Sequence, residues 1–191
     1  MHHFCTYFDQ HYLLRGLALY ASLRRHCPPF QLWVLCLDRT SLEVMAKLQL
    51  PGVELIAFED LERGDPELLG VKGTRSTVEY YFTCTPSLPR FILRRCPEVD
   101  RITYLDADLF FFADPEAIFH EMGGHAIAII EHRFPAHPAD SDPFGTFNVA
   151  WLSFRRDPRA VECLEWWRER CLEWCYDRFE DGRFADQKYL D

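Results

Sequence analysis

Two aspartates separated by one residue, Asp106 and Asp108, are the strongest candidates for chemistry in this chain. An apolar run leads into the pair and a second apolar run follows it, so both carboxylates fall at the end of a predicted strand within 101–112. Carboxylates are rarely buried without a partner or a cation, which means that such a strand presents them to a ligand. Because residues i and i+2 of a strand face the same side, both can converge on one hard divalent cation. The pair predicts a metal site that holds a phosphate-bearing ligand.

Several classes of protein use such a dyad. Phosphatases of the haloacid-dehalogenase type use Asp-x-Asp as nucleophile and acid, usually on the first strand and followed by Thr or Val. Here three predicted strands come first, and Leu109 and Phe110 follow the dyad. A nucleotide-sugar transferase instead uses the dyad to hold a metal against a diphosphate. A phosphatase or nucleotidyltransferase, and a domain that binds nucleotide sugars without catalysis, stay open as alternatives.

Alternating strands and helices must position the dyad. The pattern predicts strands at 4–9, 31–37, 53–58, within 101–112, at 125–131 and at 147–154, and helices at 12–26, from Ser41, at 85–95, 114–122 and 157–177. This order is typical of a single α/β domain with a mostly parallel sheet and helices on both faces. Ligands of such sheets bind beyond the carboxyl ends of strands, so the dyad, the first strand and Asn148 should share one rim.

Composition narrows the function further. The formal net charge of −9 disfavours a general nucleic-acid binder. No run of about 18 apolar residues predicts a membrane span, and the first residues lack the layout of a signal peptide. The eight cysteines are scattered without a Cys-x-x-Cys pair, which favours reduced, mostly buried thiols. We therefore expect a cytoplasmic protein.

The segment Tyr104-Leu105-Asp106-Ala107-Asp108 resembles the DxD segment of GT-A-fold glycosyltransferases. The similarity is greatest to the retaining family 8 group, which includes glycogenin and bacterial lipopolysaccharide glycosyltransferases. Other segments resemble that group in the same order: the opening strand and turn at 4–12, the helix segment at 21–26, the strand at 147–150 and the Asp-Gln pair at 186–187.

The resemblance implies a Rossmann-like GT-A domain over 1–191, with a nucleotide-binding half at about 1–112 and a sugar and acceptor half at about 113–191. It implies a hexosyltransferase that moves a hexose, with retention, from a nucleotide sugar, most simply a UDP-hexose, to a saccharide or glycoconjugate acceptor. Mn²⁺ or Mg²⁺ would bind Asp106 and Asp108. The implied nucleotide-binding residues are Thr6, Tyr7, Asp9, Tyr12, Leu105 and Asp106. Asn148 and Asp186 would bind the sugar, and Asp186 and Gln187 would be catalytic.

The chain also departs from the family pattern. A family Arg or Lys that faces the donor has no counterpart before the dyad, and Arg75 or Arg90 is expected to replace it. His132 and His137, in a predicted loop, are further candidates to reach the metal or acceptor. The family's third metal ligand, a His, follows Asp-Gln in a C-terminal segment. We expect that segment to be missing here, and it could mediate peripheral contact with a membrane.

Overall fold

The computed structural model describes residues 1–133 and 144–191. Within these ranges the chain forms six strands and seven α-helices. The strands are β1 (His2–Phe8), β2 (Phe30–Cys36), β3 (Val53–Ala57), β4 (Arg101–Leu105), β5 (Ile127–Glu131) and β6 (Phe147–Arg155). The helices are α1 (Leu13–His26), α2 (Arg39–Leu48), α3 (Phe58–Gly64), α4 (Pro66–Val71), α5 (Thr77–Arg95), α6 (Glu116–Met122) and α7 (Pro158–Glu173), followed by a 3-10 helix at Gln187–Leu190.

All six strands form one sheet in the order β3-β2-β1-β4-β6-β5. The four strands from β3 to β4 are parallel, and β6 runs antiparallel to both of its neighbours. This mostly parallel α/β domain confirms the predicted fold class. Because β6 is reversed and Leu105 pairs with Trp151, Asn148 near its start lies at the rim where β4 ends. The shared rim is thus confirmed, and the reversal of β6 is its cause.

Two hydrophobic cores cover the two faces of the sheet. On one face, α1 and α2 pack against side chains such as Phe4, Phe8 and Val34. On the other face, α3, α4, α5 and α7 pack against side chains such as Cys5, Leu35 and Tyr104. Neighbouring residues of β1 therefore contribute to opposite cores, as the period of two in a strand requires. Helices flank both faces, as the alternating pattern predicts.

The end of β4 differs from the sequence prediction. The strand stops at Leu105, so Asp106 and Asp108 belong to the turn that follows and do not share a strand face. The backbone N–H of Asp106 still donates to the carbonyl of Ala150, 3.0 Å away, but the N–H of Leu109 donates to the carbonyl of Asp106. That turn ends the ladder. The expected alternation of a strand does not extend through the two aspartates.

Two helix starts also differ from prediction. Helix α5 begins at Thr77 and continues through Pro86 and Pro89, whereas the sequence predicts a start near residue 85. Its N-terminus is closed by a capping box, in which Ser76 and Glu79 each accept a backbone N–H of the other. Helix α2 is capped by Asp38, whose side chain accepts the N–H of Ser41. Ser41, at which the sequence predicts the start, therefore lies inside that helix.

All eight cysteines are unpaired, and six of them are buried, which agrees with the expectation of buried free thiols. Among the helices within 1–133 and 144–191, none has both the length and the apolar character needed to cross a bilayer.

Candidate functional site

A cleft of about 340 Å³ opens at the rim where β1 and β4 end. The end of β1, the turn into α1, one face of α5 and the turn after β4 build its walls. The lining residues are Tyr7, Phe8, Asp9, Tyr12, Leu37, Val78, Tyr81, Phe82, Tyr104, Asp106, Ala107 and Asp108. The cleft thus combines aromatic rings with three carboxylates. Planar apolar ligands suit the rings, and a cation or a sugar hydroxyl suits the carboxylates.

Asp106 is held by groups on both sides of the cleft floor. Its backbone is tied to β6 through Ala150, and its Oδ1 accepts the hydroxyl of Tyr104 at 2.9 Å. Burial raises the pKa of Asp106 to about 6, the Tyr104 hydrogen bond opposes that rise, and the charge of Asp108 adds to it. A carboxylate in this position gains from any cation that stabilises its ionised form.

Asp108 is the more accessible member of the dyad, with its side chain about half exposed. Its Oδ2 lies 3.3 Å from Nη1 of Arg15, in the first turn of α1. The same guanidinium lies over the ring of Tyr12, 4.4 Å from the ring centroid. Arg15 therefore joins one wall of the cleft to the dyad.

The dyad has the donor chemistry of a hard-cation site. Two carboxylates line one cleft and are close enough for Asp108 to raise the pKa of Asp106. In the part of the chain that the structure describes, no third His, Cys, Asp or Glu joins them to complete an all-protein site. Mg²⁺ commonly binds through one or two carboxylates together with substrate phosphates. The residues present fit a cation that shares its coordination with a ligand.

A buried polar cluster, formed by Thr85 and Asp186, lies next to Tyr7 and Tyr104 of the cleft lining. The hydroxyl of Tyr7 is 3.1 Å from Oγ1 of Thr85, and the rings of Tyr7 and Tyr104 are 5.6 Å apart. Asp186 is 3% exposed, and its Oδ2 has no hydrogen-bond partner among the described residues. Burial raises the pKa of Asp186 to about 7; Thr85 opposes this rise and the charge of Asp106 adds to it. Asp186 is thus coupled electrostatically to the cleft without lining it.

The cleft brings together five of the predicted nucleotide and metal residues: Tyr7, Asp9, Tyr12, Asp106 and Asp108. Asp9 shapes the turn into α1, because its Oδ1 accepts the backbone N–H groups of His11 and Tyr12. The other two predicted nucleotide residues, Thr6 and Leu105, are fully buried and do not line the cleft. In this structure neither side chain is accessible to a nucleotide in the cleft.

The predicted sugar residues lie outside the cleft lining. Asn148 uses its Oδ1 to accept the N–H of Ala150 at 2.6 Å, and its Nδ2 is 3.1 Å from Nδ1 of His132. Gln187 donates from Nε2 to the carbonyl of Phe144 at 3.0 Å. Asn148 is nevertheless two residues from Ala150, which binds the backbone of Asp106. His137 falls outside the described residues.

Neither arginine expected to replace the family's donor-facing cation lines the cleft. Arg75 stacks over the ring of Tyr176, 4.0 Å from its centroid, and donates to the carbonyl of Leu172. Arg90 pairs with Glu165 at 2.6 Å. Both side chains are thus held elsewhere, and the expectation that either faces the cleft is wrong for this structure.

Sequence reasoning missed one whole wall of the cleft. Val78, Tyr81 and Phe82 line it from the first turns of α5, a segment that precedes the predicted helix start. The signal that identifies this start is the Ser-x-x-Glu sequence at Ser76 and Glu79, which is typical of a capping box. The contact between Arg15 and Asp108 was also missed. No sequence pattern around Arg15 indicates it.

The chain is similar to two curated proteins of Bacillus subtilis (strain 168). It is 34% identical to Uncharacterized protein YfnF over 98% of this chain and 64% of that protein. It is 29% identical to Uncharacterized protein YfnD over 99% of this chain and 61% of that protein. The chain therefore spans less than two thirds of the length of these relatives. No protein-family model matches it.

Solved glycosyltransferase structures share the fold. Mouse xyloside xylosyltransferase 1 in its apo form superposes with a TM-score of 0.64 at 16% identity, covering 99% of this chain and 80% of that one. The apo bifunctional glycosyltransferase WbbM gives a TM-score of 0.59 at 16% identity, covering 98% of this chain and 36% of that one. The α/β domain described here has a GT-A-like glycosyltransferase fold.

Proposed function

We propose that this domain is a metal-dependent glycosyltransferase that moves a hexose from a UDP sugar to a saccharide or glycoconjugate acceptor. One observation carries the proposal. In a glycosyltransferase fold, a cleft at the carboxyl ends of the strands joins an aromatic wall to the Asp106 and Asp108 carboxylates. A nucleotide sugar has the matching chemistry, because its base is planar and its diphosphate attracts a cation.

Each part of the cleft has a role in this proposal. Tyr7, Tyr12 and Tyr81 offer rings against which a uracil base can pack. Asp106 and Asp108 would hold Mn²⁺ or Mg²⁺, which supplies charge neutralisation for the departing diphosphate. The Tyr104 hydroxyl donates to one oxygen of Asp106, and the other oxygen would bind the cation.

The sugar half of the reaction falls to residues near the start of β6. We propose Asn148 and Gln187 as groups that hydrogen-bond the hexose, with Gln187 near the anomeric carbon. An amide is a poor nucleophile, which favours front-face attack by the acceptor and retention of configuration. Asp186 is 3% exposed, so the sugar contact proposed for it requires its carboxylate to become accessible when the donor binds.

The first experiment measures UDP binding by thermal shift in the presence and absence of Mn²⁺. A ligand at a hundred times its dissociation constant stabilises the folded state by about 2.7 kcal/mol, so a site that works as proposed gives a clear shift. Asp108→Asn should abolish the Mn²⁺-dependent shift. Asp100→Asn is the matched control, because Asp100 is exposed and lies at the opposite end of β4.

A second measurement separates transfer from the alternatives. UDP-hexoses and GDP-hexoses are incubated separately with Mn²⁺ and saccharide acceptors. A UDP-hexose should release UDP and form a glycoside, whose anomeric configuration NMR reports directly, and a GDP-hexose should not react. Nucleotide binding without UDP release would support a binding domain. Release of inorganic phosphate from phosphomonoesters, with no nucleotide binding, would support a phosphatase and overturn the proposal.

A further inference from the structure

We propose that Arg15 binds the donor's diphosphate, and that Asp108 holds it in place for that purpose before the donor arrives. This inference rests on the proposed function and adds a specificity-determining residue to the same cleft. Arg15 belongs to α1. The sequence did not predict Arg15 as a nucleotide-binding residue.

The charge balance of the cleft motivates the search for such a residue. The lining includes the carboxylates of Asp9, Asp106 and Asp108, and within the described ranges it includes no Lys or Arg. A diphosphate brings further negative charge to this surface. One divalent cation offsets only part of that total, so a second positive group near the phosphates would strengthen binding.

Arg15 is the cation that the described structure brings to the dyad. Its Nη1 is 3.3 Å from Oδ2 of Asp108, so a phosphate bound through a cation at Asp108 would lie within reach of the guanidinium. The guanidinium also packs over the ring of Tyr12, with its carbon 4.4 Å from the ring centroid. A planar fork of donors matches two phosphate oxygens better than an ammonium group does.

The contact with Asp108 is suited to exchange. The Arg15 and Asp108 side chains are 55% and 51% exposed, and an ion pair in that setting contributes little to stability because water screens it. A cation that takes the Asp108 oxygen therefore displaces Arg15 at low cost. The freed guanidinium remains over Tyr12 and turns to the phosphates.

The position of Arg15 in its helix supports the same reading. It lies in the first turn of α1, which begins at Leu13 and has no side-chain cap. A cation at that end opposes the helix dipole, so helix stability alone does not favour an arginine there. An anion facing Arg15 offsets this cost. Asp108 supplies it in the described structure, and the diphosphate would supply it in the complex.

The test compares UDP with uridine, which has the same base and ribose but no phosphate. Dissociation constants are measured by NMR titration with Mg²⁺ for the wild type, Arg15→Ala and Arg15→Lys. We expect Arg15→Ala to weaken UDP binding at least tenfold and to leave uridine binding unchanged, with Arg15→Lys between the two. Arg25→Ala, an equal loss of charge at an exposed position of the same helix, should change neither constant.

The outcomes separate this inference from the proposed function. If the wild type binds UDP and Arg15→Ala binds it equally well, Arg15 is not a phosphate ligand and the proposed function survives. Equal weakening of UDP binding and uridine binding would show that Arg15 supports binding of the base rather than of the phosphates, and would overturn the inference. If the wild type fails to bind UDP at all, the proposed function itself fails. Circular dichroism and the thermal midpoint of each variant establish that it is folded, and Arg15→Gln repeats the test should Arg15→Ala unfold.

Discussion

Two groups of buried or half-buried carboxylates in this protein have opposite electrostatics. Between α4, α5 and α7, Asp65 is buried and its two oxygens accept hydrogen bonds from Arg168, which is also buried. Arg90 lies 3.6 Å from the same carboxylate. At the rim of the sheet, Asp106 accepts one tyrosine hydroxyl, and Asp186 has an oxygen without a partner among the described residues.

The pKa values of these carboxylates depend on whether an arginine lies beside them. Burial by itself would raise the pKa of Asp65, but the hydrogen bond and charge of Arg168 outweigh it and hold that pKa below its usual value. Burial raises the pKa of Asp106 to about 6 and of Asp186 to about 7, and within 1–133 and 144–191 no arginine forms an ion pair with either carboxylate. The chain therefore neutralises the carboxylate that joins its helices. The rim carboxylates keep raised pKa values instead, and perturbed pKa values of this kind are common at functional sites.

The largest effect on the free energy of unfolding is expected at Asp65, whose charge is balanced by an arginine of the protein itself. Arg168→Met should lower the free energy of unfolding by about 3–5 kcal/mol, because it leaves Asp65 buried without its main partner. Urea unfolding monitored by tryptophan fluorescence measures this loss. Arg159→Met, on the exposed face of the same helix, is the control and should leave the midpoint nearly unchanged. Equal effects of the two variants would contradict the contrast between the regions.

The next effect concerns Asp186 and depends on pH. Its pKa is about 7 in the folded protein against an ordinary 3.8, so the folded state holds this proton more tightly than the unfolded state. The contribution of Asp186 to stability therefore falls as pH rises from about 4 to about 7, by up to about 1.4 kcal/mol per pH unit. Asp186→Asn cannot ionise, so its free energy of unfolding relative to wild type should rise over that interval.

Urea unfolding without divalent cations, repeated at pH 4, 5, 6, 7 and 8, gives the difference between the two proteins at each pH. Asp181→Asn, at an exposed position, should track the wild type throughout. A constant difference between Asp186→Asn and wild type would show that Asp186 ionises normally in the folded state.

The smallest effect sharpens the description of the rim. Tyr104→Phe removes the hydrogen bond that lowers the pKa of Asp106 and orients its carboxylate. Partners of this kind typically change metal affinity by about 10–100-fold, and we expect Mn²⁺ binding to weaken by about tenfold in a calorimetric titration. Tyr189→Phe loses a comparable bond to the carbonyl of Trp174 and should bind Mn²⁺ as the wild type does. If Tyr104→Phe binds Mn²⁺ with unchanged affinity, the Tyr104 hydroxyl does not contribute to metal binding.

Much of the fold could be predicted because apolar runs and their spacing are local properties. The strands at 31–37 and 147–154, and the helix that ends at His26, agree with the structure to within one or two residues. Helix α5 could not be placed from its prolines alone. Pro86 removes a backbone donor, which predicts a helix start, yet packing of Tyr80, Cys84 and Leu88 in the core keeps the helix continuous through it.

The residues of the candidate site could be predicted better than their geometry. The identity and spacing of Asp106 and Asp108 predict a shared cation, which stays a prediction. The structure brings both residues to one cleft, but in a turn rather than on a strand face. The burial of Asp186 and the approach of Arg15 to Asp108 depend on segments far apart in the chain. No local pattern reports such distances.

The strand order also has a consequence for how the chain folds. β1 pairs with β2 soon after both are made, but its other edge waits for β4, since Phe4 pairs with Thr103. Until then β1 carries an open edge of unpaired backbone groups, the kind of surface on which chains aggregate. Such distant pairings slow folding. Residues at the ends of both β1 and β4 line the cleft, so the cleft requires that these two distant strands have paired.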